Sequence, residues 1–562
     1  MEVSEPCFGR QLKLIEMQVF IPIRRSLESE HFHVIVIGGG INGVAIAREC
    51  ARAGRRTLIV EQHDFAAGTT SRATRIIHGG LRYLEHGEIG LVRESLRERQ
   101  RLLLERPHLV HPLHFLVALG PNSRRSALSV KFGLWLYRHL GGGGLGLDQS
   151  QADEHKLERL LDSGQQWSIF SFEDAQCEFP ERLVAEWLAE AIAAGAEARN
   201  HSQVLAVDVR HGRAVAILLR DRLSGKEERV EATWVINATG PWADRLCQRS
   251  HVNTPHPMIG GVRGSHIVLP RFAGAPDAAV YTEALDGRPI FVVPWNDQVL
   301  VGTTEVADRG DPAKAAPTPD EIDYLLSSLL KLFPRLKVSQ QDIRYSFAGV
   351  RPLPFSPRGE LAAVSRKHYL HDHSDDGATH MISVIGGKLT TAAELARQCA
   401  ARLGISAKSP AGVAIASQDH NELLFDNWLS EISGVSGLKE EAARSIVEWH
   451  GPRSMAIAKS AAASPELRAP LCSHTSHIVA EAVDAITAEC ATTLGDILLR
   501  RVPVALGACW SQPCGREATA RIASVVGWDD QRAAAELEGF ENERAAFLRK
   551  PGSAIPLHQA AD

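Results

Sequence analysis

Gly38, Gly40 and Gly43 stand as Gly-x-Gly-x-x-Gly, and Glu61 follows 18 residues after the last of them. Together these four can bind a dinucleotide. Glycines at that spacing allow a tight turn and a close approach of the backbone to a pyrophosphate. A helix opening at the same point turns free N–H groups and the positive end of its dipole toward the anion. A carboxylate closing the next strand can accept from ribose hydroxyls. The motif is weak alone, so its setting decides. His33-Val34-Ile35-Val36-Ile37 is a β-branched run and reads as a buried strand. Val44 to Ala53 reads as a helix, with Gly54 as its stop. Thr57 to Val60 reads as a second strand ending at Glu61. That is a β-α-β unit of about thirty residues, as the chemistry requires. The cofactor is NAD or FAD, and the glycines do not choose between them.

Two later junctions repeat the strand-then-turn pattern. Trp234-Val235-Ile236-Asn237 leads into Ala238-Thr239-Gly240-Pro241-Trp242. Met381 to Ile385 leads into Gly386-Gly387-Lys388-Leu389-Thr390-Thr391, with a helix expected from Leu389 to Leu403. Several strand ends would then converge on one extended cofactor. Ser95 to Glu105, Ser123 to Leu140 and Arg182 to Ala194 read as helices, and Val204 to Val209 and Ala214 to Leu219 as strands. Residues 258–305 alternate short β-like runs with Gly/Pro turns, which suggests a mostly antiparallel sheet. From Asn421 onward the sequence is helical and rich in Ala, Glu and Arg, after a linker at Ser409 to Ser417.

At this point the chain resembles FAD-dependent glycerol-3-phosphate dehydrogenase, within the wider D-amino-acid-oxidase-like flavoprotein fold. The resemblance runs from about Val34 to about Leu548. Its most specific piece is Ser71-Arg72-Ala73-Thr74-Arg75-Ile76-Ile77-His78-Gly79-Gly80-Leu81-Arg82-Tyr83-Leu84-Glu85. Gly264-Ser265-His266, Val301-Gly302-Thr303-Thr304, Gly349-Val350-Arg351-Pro352 and Gly386-Gly387-Lys388-Leu389-Thr390-Thr391 add to it. The stretch Thr493 to Arg501 is similar to the family's helical cap.

The resemblance implies an α/β fold. A Rossmann-type FAD domain (about 32–110, 170–250 and 345–408) would carry an inserted, mainly antiparallel substrate domain (about 255–345). An all-α C-terminal domain (418–550) would follow, and residues 1–31 would be a flexible extension. It also implies FAD, oxidation of sn-glycerol 3-phosphate to dihydroxyacetone phosphate, hydride transfer to flavin N5, and a quinone acceptor. Cofactor contacts are expected from Gly38, Gly40, Asn42, Gly43, Glu61, Thr70, Ser71, His78, Gly79, Gly80, Thr239, Gly240, Gly387, Leu389 and Thr390. A phosphomonoester needs fixed cations, and Arg suits because its planar fork can bond two phosphate oxygens. The family match places Arg82, Arg351, Arg366 and Lys388 there, with Tyr83 beside them. His266 is the expected base, since imidazole is suited to moving a proton near neutral pH. Arg351 would also polarise the substrate oxygen, and Lys388 is assigned to the catalytic set as well.

Some positions depart from the family pattern. Ala392 and Ala393 stand where Tyr and Arg are usual, Glu305 where Asp is usual, and Glu178-Phe179 interrupts the stretch after Asp174-Ala175-Gln176. These bear on substrate and acceptor more than on fold. An oxidase using oxygen, or a dehydrogenase for another small anionic substrate, is the alternative reading. A flavin-binding protein without turnover is disfavoured by the cationic set.

Composition sets the outer bounds. The chain has 562 residues, 44% of them hydrophobic and 23% charged, which excludes wholesale disorder. Net charge is -5, so a nucleic-acid partner is not expected. Nine scattered cysteines without C-x-x-C point to reduced thiols, a cytoplasmic setting and no metal site. The apolar patch Val19 to Ile23 is too short for a secretory segment, and Met17 could be the start. Arg124, Lys131 and Arg138 recur every seven residues beside Phe132, Trp135 and Leu136. A helix of that kind can lie on an anionic membrane surface, so peripheral attachment to the cytoplasmic membrane is an expectation. A homodimer is left open.

Overall fold

The computed structural model describes residues 24–141, 150–357, 366–405, 418–435 and 437–550. The expected linker at Ser409 to Ser417 and the patch at Val19 to Ile23 lie outside the described residues.

The apolar run at the start forms strand His31–Ile37. It is the centre of an eight-stranded sheet, flanked in parallel by Thr57–Val60 and Glu227–Asn237, with Met381–Ile385 beyond the latter and Glu197–Arg199 beyond the former. Its strands are buried on both faces, which is why they read as continuous Val/Ile/Leu runs rather than alternating ones. Helices Ile41–Arg52, Pro180–Ala193 and Ala392–Arg402 cover one face through Val44, Leu183, Leu188 and Leu395. The register pairs Ile37 with Val60 and with Asn237, and Ser383 with Asn237. Four strands therefore end at one edge of the sheet, the edge where open α/β sheets bind ligands.

A second sheet of nine strands is mainly antiparallel. Near one end of it, strand Val262–Pro270 lies between Gln298–Gly302 and Tyr345–Arg351. It also takes in Ile76–Ile77, Val110–Leu119 and Ser168–Cys177, so it reaches well outside 255–345. Long-range pairing of this kind leaves no local sequence signal. Helix Pro319–Leu332 covers the sheet through Ile322, Leu325 and Leu329. Its capping residue Thr318 and Glu321 form a reciprocal capping box.

The C-terminal part is helical, from Gln418–Ser433 to Asp530–Phe547. It shares a core with the second sheet, where Leu498, Val504 and Phe540 meet Trp295, Tyr345 and Phe347. The helix expected from Ser95 begins six residues earlier, as Ile89–Glu105, and two expected helices start late. Helix Ala127–Leu140 begins four residues after Ser123, because Ser126 caps it by accepting from the Ser129 N–H. Arg124 is thus off the helix, and its N–H donates to Glu283 Oε2 at 2.7 Å. Helix Ala392–Arg402 begins after Lys388-Leu389-Thr390, since Gly386 and Gly387 turn left-handed at φ +77° and +100°.

Candidate active site

The sheet edge opens into a cavity of about 1600 Å³. Helix Ile41–Arg52 points its first turn there; Gly40 supplies no side-chain cap, the turn holds no acidic residue, and the Ile41 N–H alone donates to a side chain, Thr70 Oγ1, at 3.1 Å. Its free N–H groups are left for an anion. Gly38 has φ +108°, and a Cβ on it would lie 2.5 Å from the Ala238 carbonyl oxygen. A Cβ on Gly43 would lie 1.9 Å from the Gly38 oxygen, so Gly43 lets helix and strand touch and does not face the cavity. Glu61 accepts from the N–H of Gly39 at 2.7 Å and of His63 at 2.9 Å. Each oxygen keeps a lone pair for a hydroxyl.

The third junction closes onto the first. Asn42 Nδ2 donates to the Gly386 carbonyl at 3.3 Å, and a Cβ on Gly387 would lie 2.3 Å from that nitrogen. The His78 N–H donates to Thr390 Oγ1 at 3.2 Å, and Thr239 Oγ1 donates to Asn237 Oδ1 at 2.7 Å. Gly38, Gly40, Asn42, Glu61, Thr70, Ser71, His78, Thr239, Gly240, Gly387, Leu389 and Thr390 all line the cavity. Gly43, Gly79 and Gly80 are not among its lining residues. Asn42 Oδ1 is buried with no partner among the described residues. An uncapped helix terminus, a carboxylate at the next strand end and an orphaned amide oxygen fit a dinucleotide.

The four cations meet at one end. Glu305 binds Arg366 at 2.6 Å and Arg82 at 3.6 Å. Burial pushes the Glu305 carboxyl up, but Arg366, Arg351 and Arg82 outweigh it and hold it below its ordinary range. Arg351 donates through Nη2 to Thr303 Oγ1 at 2.9 Å, while its buried Nη1 has no partner among the described residues. Burial, then the charge of Arg366, pushes this guanidinium down to about 10. Lys388 sits 4.0 Å from the centre of the Tyr83 ring and donates to Ser95 Oγ at 3.4 Å. Burial pushes its ammonium down to about 7. Tyr83, Arg351, Arg366 and Lys388 line the cavity, and Arg82 stands behind Glu305.

His266 lies on strand Val262–Pro270, opposite Gly302 and Phe347. Its ring stacks on Phe347, with centroids 5.0 Å apart. Only hydrogen fits opposite it, since a Cβ on Gly302 would lie 2.2 Å from the His266 ring. Nε2 is 2.9 Å from Thr74 Oγ1, and buried Nδ1 has no partner among the described residues. Burial, with Arg351 and Arg75, pushes the ring down to about 3, so it is neutral at neutral pH. Glu321 steadies this strand by accepting from Ser265 Oγ at 2.9 Å and Thr304 Oγ1 at 2.7 Å.

Sequence reasoning missed three groups of residues. Thr303 and Thr74, which hold Arg351 and His266, lay inside quoted motifs but carried no role. Glu305 was visible only as a departure from pattern. The last helix, Asp530–Phe547, also lines the cavity through Glu543 and Phe547, as does Arg500. No sequence signal pointed to that. The helical part is fastened there by buried Asp64, which accepts from Arg500, from Arg501 at 2.7 and 2.8 Å, and from Asn200 at 3.1 Å.

Known proteins match the chain over most of its length. Residues 33–402 match the family described as FAD dependent oxidoreductase, and residues 377–533 match the C-terminal domain of alpha-glycerophosphate oxidase. A glycerol-3-phosphate dehydrogenase of Synechocystis sp. is 36% identical over 503 residues, 85% of this chain and 90% of that protein. A D-erythritol 1-phosphate dehydrogenase of Brucella abortus is 35% identical over 382 residues, 67% of this chain and 74% of its own. The fold is that of the glycerol-3-phosphate dehydrogenase from Bacillus halodurans solved with FAD, with a TM-score of 0.73. The match covers 94% of this chain and 97% of that one at 22% identity.

Proposed function

This chain belongs to the FAD-dependent oxidoreductase family, and we propose that it oxidises sn-glycerol 3-phosphate to dihydroxyacetone phosphate and passes the electrons to a membrane quinone. The observation that carries the substrate is the buried Nη1 of Arg351, which has no partner among the described residues and stands among three further cations. A buried donor left unmade costs roughly 1–3 kcal/mol, and a phosphate oxygen would satisfy it. FAD, when bound, supplies the acceptor for the hydride equivalent removed from the substrate.

Arg351, Arg366 and Lys388 bind the phosphate, and Arg82 reaches it through the cluster at Glu305. Burial first, and then the charges of Arg351 and Arg75, keep His266 neutral, and the dianion offsets the second of these. Substrate binding therefore makes the ring a better base at the moment it is needed. His266 receives the hydroxyl proton, while Thr74 at Nε2 and Phe347 against its face hold the ring in place.

The acceptor reading rests on helix Ala127–Leu140. Leu128, Phe132 and Trp135 are 81%, 63% and 54% exposed, and that spacing puts them on one face. Lys131 and Arg138 are exposed beside them. Among the described residues no helix is long and apolar enough to cross a membrane, so this face would lie in the headgroup region. The buried side of the same helix reaches the neighbour of cavity-lining His78: the Tyr137 hydroxyl accepts from the Gly79 N–H at 2.7 Å and donates to Asp174. The decisive test is anaerobic bleaching of the bound flavin by glycerol 3-phosphate, followed by reoxidation with a quinone or with oxygen. Peroxide formed at full turnover rate would instead make the protein an oxidase.

A further inference from the structure

Outside the cavity lining, thiol and imidazole donor atoms of the helical part come together. Cys472 and His474 lie on the loop between helices Pro465–Arg468 and Val479–Ala488, and Cys514 lies in the first turn of helix Gln512–Val526. One donor atom from each lies within 4.8 Å of the other two. Cys514 Sγ is 3.3 Å from His474 Nδ1 and 3.3 Å from Ser511 Oγ. Cys472 and Cys514 are buried, and His474 reaches the surface. Cys509 stands at the rim, its Sγ 3.8 Å from the His474 carbonyl and its own carbonyl 3.8 Å from Cys514 Sγ.

We propose that this cluster is a zinc site, with the Cys472 and Cys514 thiolates and His474 Nδ1 as ligands and Cys509 supplying the fourth. Two or three thiolates and an imidazole are the donor set that zinc takes in closed, structural sites. Tetrahedral bonds of ~2.3 Å put neighbouring thiolates about 3.8 Å apart, and the donor atoms of Cys472, His474 and Cys514 already lie within 4.8 Å of one another. Cys514 is at the N-terminus of a 15-residue helix without an acidic residue in its first turn, which favours the thiolate. The thiol protons go to solvent as the metal enters. Nothing in the sequence announced the site, because its ligands come as C-x-H and C-x4-C segments far apart along the chain.

Position suggests what the ion does. The segment leading to Cys509 grips the second sheet: the Leu506 carbonyl accepts from Tyr345 Oη at 2.9 Å and Gln298 Nε2 at 3.1 Å, and the Ala508 carbonyl from Arg344. Zinc would staple this docking segment to the loop at Cys472. Its role is structural, and turnover of the folded enzyme does not depend on it directly.

The test uses the full-length, FAD-loaded protein purified without a metal-binding tag. Mass-spectrometric metal analysis should find about one zinc per chain. After removal by chelator under reducing conditions, cobalt(II) should give a thiolate charge-transfer band and visible d–d bands to the red of the flavin. Cys472→Ser with Cys514→Ser should lose the metal and melt earlier. Should that pair fail to fold, exposed His474→Ala, with its flavin spectrum intact, should still lower occupancy and alter the cobalt bands while keeping turnover. Absence of zinc together with absence of a cobalt–thiolate band would overturn the proposal. So would unchanged metal content in the folded cysteine pair variant, or a Cys472–Cys514 disulfide in the protein as isolated.

Discussion

Arg351 gathers the most physical consequence into one side chain. Thr303 fixes one guanidinium nitrogen, and the other is buried and without a partner among the described residues. Arg351→Ala should therefore raise KM for glycerol 3-phosphate and lower kcat, with FAD retained; steady-state kinetics beside a flavin absorbance ratio will show it. His266→Asn should slow flavin reduction by roughly 10²-fold in stopped flow, the loss expected of a general base. An unchanged rate would remove His266 from the proton path. Lys388 gives a pH dependence with a definite sign. Its buried ammonium titrates at about 7 in the free protein, below the ordinary 10.5. As pH rises through about 7 the charge is lost, so kcat/KM should fall. A phosphomonoester gains its second charge near pH ~6, so the profile should be a bell, and Lys388→Met should remove the alkaline limb. At this scale the sequence was informative wherever a residue sat in a long motif. Gly38, Lys388 and Arg351 were legible that way. Glu305 was not, because only the fold shows that three arginines converge on it.

Elements were legible in proportion to how local their causes are. The strand His31–Ile37 and the turn after it follow from a β-branched run and glycines, and both stand where the sequence put them. The start of helix Ala127–Leu140 depends on one capping serine, so the expected boundary was early and Arg124 fell outside it. The seven-residue basic stripe is thus shortened to Lys131 and Arg138. The more telling feature is the apolar face of Leu128, Phe132 and Trp135, which only exposure reveals. Co-sedimentation with anionic vesicles should be strong for the native chain. It should drop at least several-fold for Phe132→Ser with Trp135→Ser, while soluble-acceptor activity stays. Equal binding by both proteins would move the membrane contact elsewhere.

Across the whole molecule, a net charge of -5 conceals a cationic pocket built from residues 82 to 388. The length resolves into two sheets that share long stretches of chain and a helical part that completes the cavity wall. Interleaving could not be read from the sequence, because strands such as Val110–Leu119 find partners more than a hundred residues away. The buried Asp64 cluster joins the helical part to the dinucleotide edge, and loss of one partner in such a cluster costs ~3–5 kcal/mol. Asp64 thus belongs both to the cavity lining and to the C-terminal docking cluster. The central claim is that this edge, with its cations, oxidises a phosphorylated polyol. The most direct measurement is the visible flavin spectrum of the pure protein without oxygen, after addition of glycerol 3-phosphate, erythritol 1-phosphate, lactate or glycine. Oxidation of a phosphorylated polyol at this edge requires prompt bleaching by glycerol 3-phosphate and none by the two unphosphorylated acids. A flavin that glycerol 3-phosphate leaves yellow while either acid bleaches it would contradict it.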